Sequence, residues 1–517
     1  MEKVRILWTD DEIEFLKPHI LFLQEKGYDV ETANNGTDAL DMIAEKNYDI
    51  VFLDENMPGL SGIEVLNRIK TSKPSLPVVM ITKSEEENIM EDAIGGKIAD
   101  YLIKPVNPNQ ILMALKKTLD NKRIVNQKTS SAYQQEFRNI GMKMMGNMSL
   151  DEWYALYMDL IYWELELGNS DDESLQEAFR MQKTEANKLF ARYYEKNYKE
   201  WLNGKSDDTP LLSHTLLKSK LFPLLDQPEP VFLVVIDNLR YDQWKIISRF
   251  LQEYYHVESD EMYLSIMPTA TQYARNSLFS GLMPAEIQRK YPKYWLNEDD
   301  EGSKNDFESE LFAENLRRHG KQIKFSYNKI LSLNAGKRLA DSMSNLLANK
   351  LNIIVYNFVD MLSHSRTEME VIKELAADES AYRSITASWF EHSPLFDILK
   401  TIAEKQARVM ITTDHGSIRV QVPEKVIGDR NTNTNLRYKQ GRSLNYDAKS
   451  VFEMRNPEEY FLPKPNVSTR YIFASDTQFF VYPNNYNHFV NFYKDTFQHG
   501  GISLEEVIIP AITLKAK

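Results

Sequence analysis

Over residues 1 to about 120, short apolar runs alternate with amphipathic stretches. The runs VRILWT, DVETA, IVFLD, PVVMIT and DYLIK are strand-length, and the segments between them have helical spacing. This alternation predicts a doubly wound parallel sheet over 1–122. The pattern changes after Pro108: no proline recurs until Pro210, and apolar and aromatic residues fall at helical spacing. Ser149 with Glu152, and Ser170 with Glu173, have the spacing of capping boxes, while Gly168-Asn169 and Gly204 supply stops. Three helices are expected over 123–208, with Trp153, Tyr157, Leu160, Ile161 and Trp163 as their buried face and KSDDTP (205–210) as a loop. From Val231 the α/β pattern returns in VFLVVID, NIIVYNFVD, RVMITTD and VIIPAITL, which places a larger α/β domain over 209–517.

Composition narrows the function. The 517 residues include 42% hydrophobic ones, enough for several cores, and no cysteine, so disulfides and thiolate metal sites are excluded. A net charge of −13 disfavours a general duplex-DNA binder, which must neutralise phosphates. The opening residues lack a signal-peptide apolar core, and no apolar run approaches the roughly 18 residues of a membrane span. A soluble, cytoplasmic protein without membrane insertion is expected.

Two sets of acids stand where strands should end. Asp10 and Asp11 close the first strand, Asp54 the third, Thr82 the fourth, and Lys104 follows the fifth. In a parallel sheet such ends converge at one rim, giving a hard-oxygen pocket suited to magnesium. This segment resembles a two-component receiver domain, a flavodoxin-like fold. The resemblance implies that Asp54 accepts a phosphoryl group and that Asp10, Asp11 and the carbonyl of Asn56 hold Mg2+. It also implies that Lys104 contacts the phosphoryl group, that Thr82 and Tyr101 form the switch pair, and that the Lys104–Pro105 bond is cis. Trp8 departs from the small or β-branched residues usual at its position.

In the C-terminal part, apolar runs lead to Asp237, Asp360 and Asp414, accompanied by His364, His415 and His499. Asp360 and His364 share a face if the chain turns helical there. Between Asp237 and the other ligand candidates lies MPTATQYARNS, with Thr271 as candidate nucleophile and Thr269 as its rival; Thr269 and Ser277 equally suit turn or helix-start roles. His256, His319, His392 and His488 fit no ligand pattern. The order Asp, Thr, Asp-x-x-x-His, Asp-His, His resembles the alkaline phosphatase superfamily, particularly its phosphodiesterase branch, and HGGISLEEVIIP resembles its PglZ subgroup. The resemblance implies two zinc ions, one held by Asp237, Thr271, Asp414 and His415, the other by Asp360, His364 and His499. With no third carboxylate cluster and Gln272 after Thr271, diesters are expected over monoesters. Sulfatase and phosphomutase chemistries are the alternatives, though a sulfatase's precursor motif is missing.

The segment Arg419–Lys449 carries seven Lys or Arg against three acids, with Asn and Tyr interleaved. It is expected to fold over the metals and bind substrate, bases stacking on Tyr438 while Arg437 and Lys439 meet phosphates; the bland reading is a solvated loop. Receiver, helical spacer and PglZ-type domain together resemble PorX-type response regulators. That resemblance implies a sensor histidine kinase and a sigma factor as partners, a homodimer on phosphorylation, control of type IX secretion, and a nucleotide or oligonucleotide substrate. The competing expectation is a metal domain that binds nucleotides or a transcription partner without turnover.

Overall fold

The computed structural model describes residues 3–73, 76–83, 98–168, 172–204, 209–298, 300–368, 376, 378–429 and 432–517, with the side chains of 120–130 and 365–368 outside it. The chain divides into two compact units, 1–136 with 169–175 and 137–168 with 176–517.

In the first unit five strands form a parallel sheet: β1 (Arg5–Thr9), β2 (Asp29–Ala33), β3 (Ile50–Asp54), β4 (Val78–Thr82) and β5 (Asp100–Ile103), in the order β2-β1-β3-β4-β5. Strands β3 and β4 are buried throughout because both faces of the sheet are covered, which explains their unbroken apolar runs. Helices α1 (Lys17–Glu25), α2 (Gly36–Glu45) and α3 (Gly62–Ser72) pack on it. Leu7, Val51, Leu53 and Met80 share one core with α2 and α3, while Ile6, Trp8, Phe52 and Ile81 form the other. Trp8 is wholly buried, its ring 5.4 Å from Phe52.

Helix α4 runs unbroken from Pro108 to Met144, so the change from receiver to spacer pattern at residue 122 is not marked by a turn. Helices α5 (Leu150–Leu167) and α6 (Glu173–Leu202) follow. Ser149 caps α5 as expected: its hydroxyl accepts from the Glu152 amide, and the Glu152 carboxylate takes the Ser149 amide at 2.7 Å. Ser170, Asn169 and most of the 205–210 loop lie outside the described residues. Trp153, Tyr157, Leu160 and Ile161 are buried, but Trp163 is only half-buried. The inward positions step through 153, 156, 157, 160, 161, 164 and 167, so Trp163 falls beside the stripe and Glu164 takes the inward place.

The larger unit is built on a six-stranded mixed sheet. Its strands are β6 (Val231–Ile236), β7 (Tyr255–Leu264), β8 (Phe325–Ile330), β9 (Leu351–Tyr356), β10 (Arg408–Thr412) and β11 (Ile508–Ala516), ordered β7-β11-β10-β6-β9-β8. The four strands from β10 to β8 are parallel, and β11 pairs antiparallel with β10 and β7. Strands β6 and β9 are buried at every position. Helices α7 (Tyr241–Leu251), α8 (Thr271–Ser280), α9 (Glu308–Arg318), α10 (Phe358–Glu368) and α11 (Glu379–Glu391) flank the sheet. A small antiparallel sheet (438–441, 470–474, 451–454) lies between β10 and β11 in sequence.

Ser149→Ala should destabilise the larger unit by about 1 kcal/mol, because the α5 cap is lost, while Ser149→Asp keeps most of it. Urea unfolding followed by tryptophan fluorescence measures both.

Candidate active site and receiver pocket

The receiver pocket forms at the carboxyl rim of the first sheet. Asp10 and Asp54 are buried and Asp11 is exposed, and one ligand oxygen from each lies within 4.8 Å of the others. Lys104 reaches Asp10 at 2.9 Å and Asp54 at 2.8 Å, and the peptide after it is cis. Burial raises Asp54, Lys104 lowers it and Asp10 raises it further. Burial would depress Lys104, but Asp54 and Asp10 outweigh it and hold the ammonium charged. Three carboxylates against one ammonium leave room for a divalent cation. Asn56 is exposed beside Asp54, and Tyr101 is 41% exposed. Glu55, absent from the sequence reading, is buried and accepts the Thr82 hydroxyl.

The second site lies at the carboxyl rim of β10, β6 and β9. Asp237 follows β6 and Asp414 follows β10, both fully buried. Asp360 is in the first turn of α10 rather than on a strand, since β9 ends at Tyr356; His364 lies one turn on, its Nε2 3.5 Å from Asp360 Oδ2. Six side chains therefore make two groups: Asp237, Asp414 and His415, and Asp360, His364 and His499, each with ligand atoms within 4.8 Å of one another. The groups adjoin, with the His415 and His499 rings stacked at 4.1 Å.

The histidines are oriented as ligands. His415 Nδ1 lies 3.1 Å from the Gly416 carbonyl and His499 Nδ1 3.2 Å from the Thr269 carbonyl, so each carries its proton there and turns a bare Nε2 into the site. Burial holds both rings below the usual imidazole range. Burial also pushes Asp237 and Asp414 above the usual carboxylate range. Asp237 Oδ1 and Asp414 Oδ2 are buried with no hydrogen-bond partner. Neutral imidazoles beside unpartnered carboxylate oxygens fit divalent metals.

Thr271 begins α8, and its Oγ1 lies 3.1 Å from His415 Nε2. Every later residue of α8 is buried, while Thr271 is partly exposed, so a ligand can reach its hydroxyl. Ala270 precedes it without a capping side chain, which leaves the first amides of the helix toward an anion. Thr269 is buried and structural: its hydroxyl donates to the Gly501 carbonyl at 2.8 Å and accepts from the Gly500 amide at 3.1 Å. Ser277 is buried within the helix.

Several residues escaped the sequence reading. Arg275 lies one helical turn after Thr271, fully buried, and binds Asp237 Oδ2 at 2.5 Å and Glu308 Oε1 at 2.6 Å; Tyr327 also donates to Glu308. This guanidinium neutralises part of the carboxylate cluster and commits its Nε and Nη1 to it. Asn238, at φ 64°, points Nδ2 toward Asp360 Oδ1 at 3.5 Å and Ser363 Oγ at 3.3 Å. An Arg at i+4 from the nucleophile was the available signal.

The proposed substrate contacts in the basic segment are corrected by the structure. Arg437 is fully buried and makes a two-pronged pair with Glu506, at 3.1 and 2.6 Å, whose carboxylate also accepts the Gly501 amide at 2.9 Å. Lys439 is buried, donating to the Asn433 carbonyl at 3.1 Å above the Tyr482 ring. Tyr438 is buried, with its hydroxyl 2.5 Å from Glu298. Arg437 and Tyr438 pack beside Gly501 and Gly500, Lys439 is tied to Asn433 and Tyr482, and none of the three presents a surface on which a base or phosphate could dock. Arg430 and Asn431 of this segment lie outside the described residues.

Residues 216–514 match the family model for the BREX system PglZ alkaline phosphatase-like domain, 123–202 the PorX response regulator linker domain, and 6–116 the response regulator receiver domain. The chain belongs to the PglZ alkaline phosphatase-like family, and its three matched parts in this order are those of a PorX-type response regulator. Among curated relatives, transcriptional regulatory protein ZraR of Klebsiella oxytoca is 34% identical over 27% of this chain and 32% of its own length. Transcriptional regulatory protein ResD of Bacillus subtilis is 35% identical over 23% of this chain and 48% of its own. The chain thus spans less than half of either relative. The solved response regulator TrrA from Thermotoga maritima, in complex with Mg(2+)-BeF, is 34% identical over 22% of this chain and 99% of its own, with a TM-score of 0.21. Among the described residues no helix is long and apolar enough to cross a membrane.

Arg437→Ala should cost about 3–5 kcal/mol, since it leaves Glu506 buried and unpaired. Urea unfolding reads the loss. Burial pushes Lys439 down to about 7. Below that pH the folded and unfolded chains both carry the proton, and the folded one bears the full penalty. As pH rises toward 10.5 only the unfolded chain keeps it, so stability climbs. Lys439→Met should therefore raise the unfolding midpoint most below pH 7, the gain fading toward pH 10. Thermal melts across pH read it directly.

Proposed function

We propose that the C-terminal domain is a dizinc phosphodiesterase acting on nucleotides or oligonucleotides, governed by phosphorylation of Asp54. The observation that carries this reading is the convergence of two His-carboxylate groups on the one reachable hydroxyl of α8, Thr271. Asp237, Thr271, Asp414 and His415 would hold one zinc, and Asp360, His364 and His499 the other. When bound, the two ions supply Lewis-acid activation of the hydroxyl and charge compensation for the phosphoryl oxygens. Thr271 Oγ forms a bond to phosphorus as the bond to the leaving alkoxide breaks. The alkoxide takes up the proton that Thr271 gives up, and water then cleaves the Thr271 Oγ–phosphorus ester, restoring the hydroxyl and releasing the monoester. Arg275 is committed to Asp237 and Glu308, leaving no cation free among these residues for a second phosphate charge, which favours diesters.

In the receiver, magnesium on Asp10, Asp11 and the Asn56 carbonyl would assist phosphoryl transfer from a sensor histidine kinase to Asp54. Lys104 would then bind the phosphoryl group, and Thr82 with Tyr101 would report it. The resemblance to PorX-type regulators supports a cytoplasmic protein that acts with a sigma factor on type IX secretion, divided at 1–122, 123–208 and 209–517.

Zinc-loaded protein should carry two transition metals per C-terminal domain and hydrolyse an aryl diester faster than the matched monoester. Chelation should abolish turnover, and Thr271→Val should reduce it by about a thousandfold or more while retaining metal. Elemental analysis with paired assays decides, and monoester preference or an active Thr271→Val variant overturns the assignment. Beryllofluoride with magnesium should convert the chain to a dimer and leave Asp54→Ala unchanged in sedimentation velocity.

A further inference from the structure

The family model for the alkaline phosphatase-like domain begins at residue 216, yet helix α6 (Glu173–Leu202) touches the candidate active site's framework at several points. Tyr198 accepts the Met267 amide at 2.9 Å, and Tyr194 donates to the Ser265 carbonyl at 3.1 Å. The two rings stack at 4.7 Å, and both residues are fully buried. Ser265–Met267 is the segment that leads into Thr269 and Thr271. Ser265 Oγ in turn donates to the Asp414 carbonyl at 2.7 Å. One turn of α6 therefore fixes both the approach to the nucleophile and the backbone of a metal-type ligand.

The same helix holds the other side of the site. Asn187 Oδ1 accepts the Leu504 amide at 2.7 Å, and its Nδ2 donates to Glu505 Oε2 at 3.2 Å. Lys183 binds Glu505 Oε1 at 2.8 Å and Glu164 of α5 at 2.8 Å. Glu505 matters because its backbone carbonyl lies where a side chain on Gly416 would be, immediately after His415. The bonds of Tyr194, Tyr198 and Asn187 Oδ1 end on backbone at Ser265, Met267 and Leu504, on the segments that carry Thr271 and His499, while Asn187 Nδ2 and Lys183 hold the Glu505 carboxylate. A helix that merely shielded the domain would present apolar side chains here instead.

We propose that α6 is an integral wall of the active site, with Asn187, Tyr194 and Tyr198 as positioning residues for the Thr271 approach and the metal-ligand loops. The catalytic unit then starts in the spacer and not at residue 216, and movement of α6 is a direct route to the site's geometry. The claim about turnover rests on the diesterase reading, whereas the claim about positioning does not.

The test uses the full-length, zinc-loaded chain with Tyr198→Phe and Asn187→Leu, and Tyr162→Phe, at an exposed position of α5, as control. Tyr198→Phe keeps the ring stack and removes the hydroxyl that accepts the Met267 amide and also bonds the Tyr194 hydroxyl. Hydrogen exchange at that amide should accelerate about tenfold or more, while the amides of β6 stay protected. For a chromogenic diester, kcat should fall about tenfold or more with KM and zinc content unchanged. Asn187→Leu should give the same pattern, with the exchange gain at Leu504, and Tyr162→Phe should match wild type. Unchanged exchange at Met267 and Leu504 overturns the proposal, as does a loss of kcat that merely follows lost zinc or lost secondary structure. If wild type turns over no diester while the exchange gains appear, positioning stands and the diesterase reading falls.

Discussion

Three carboxylates, Asp237, Asp360 and Asp414, are held at one end of a buried sheet, with the Arg275 guanidinium beside the first and the last. That concentration of negative charge in a low-dielectric rim is the constraint that the larger unit is arranged around. It explains why Arg275 is buried, with Glu308 and Tyr327 fixing its far side. It also accounts for the two imidazoles whose protons are turned outward onto carbonyls. Folding a chain with these charges unscreened is unfavourable, so metal affinity and fold stability should be linked properties of one site.

The ligand residues were legible in the sequence because a parallel sheet converts a one-dimensional pattern into a place. Apolar runs that stop at Asp237 and Asp414 can only deliver those side chains to the carboxyl rim. Asp360 was legible by its spacing to His364, though it sits on a helix and not at a strand end. Asn238 and the α6 residues were not legible, because their partners lie tens to hundreds of positions away and no local periodicity marks them, and Arg275 carried only its i+4 spacing from Thr271.

Charge counting misled in the segment around Arg437. A net positive stretch shows how many cations the chain carries there, not which way they face. The strand Tyr438–Gly441 is buried at every position, so its neighbours were drawn inward with it. Arg437 found Glu506 in the interior, and Lys439 found a carbonyl and a ring. The expectation of a buried Trp163 failed for a related reason: the helical stripe passes beside it and gives the interior to Glu164, which ion-pairs with Lys183 and Arg383.

Gly416 and Gly501 bear on how this site can change over generations. A Cβ at 416 would meet the Glu505 carbonyl oxygen, and one at 501 would meet the Ala474 carbonyl oxygen and the Arg437 guanidinium. Both obstacles are backbone or a saturated buried side chain, so neither can yield cheaply. The fold must therefore keep two glycines that contribute no side chain to the site, one of which holds the His415 ring through its carbonyl. The obstacle is the fold itself, so both glycines are required wherever this domain keeps its packing, whatever use is made of the site.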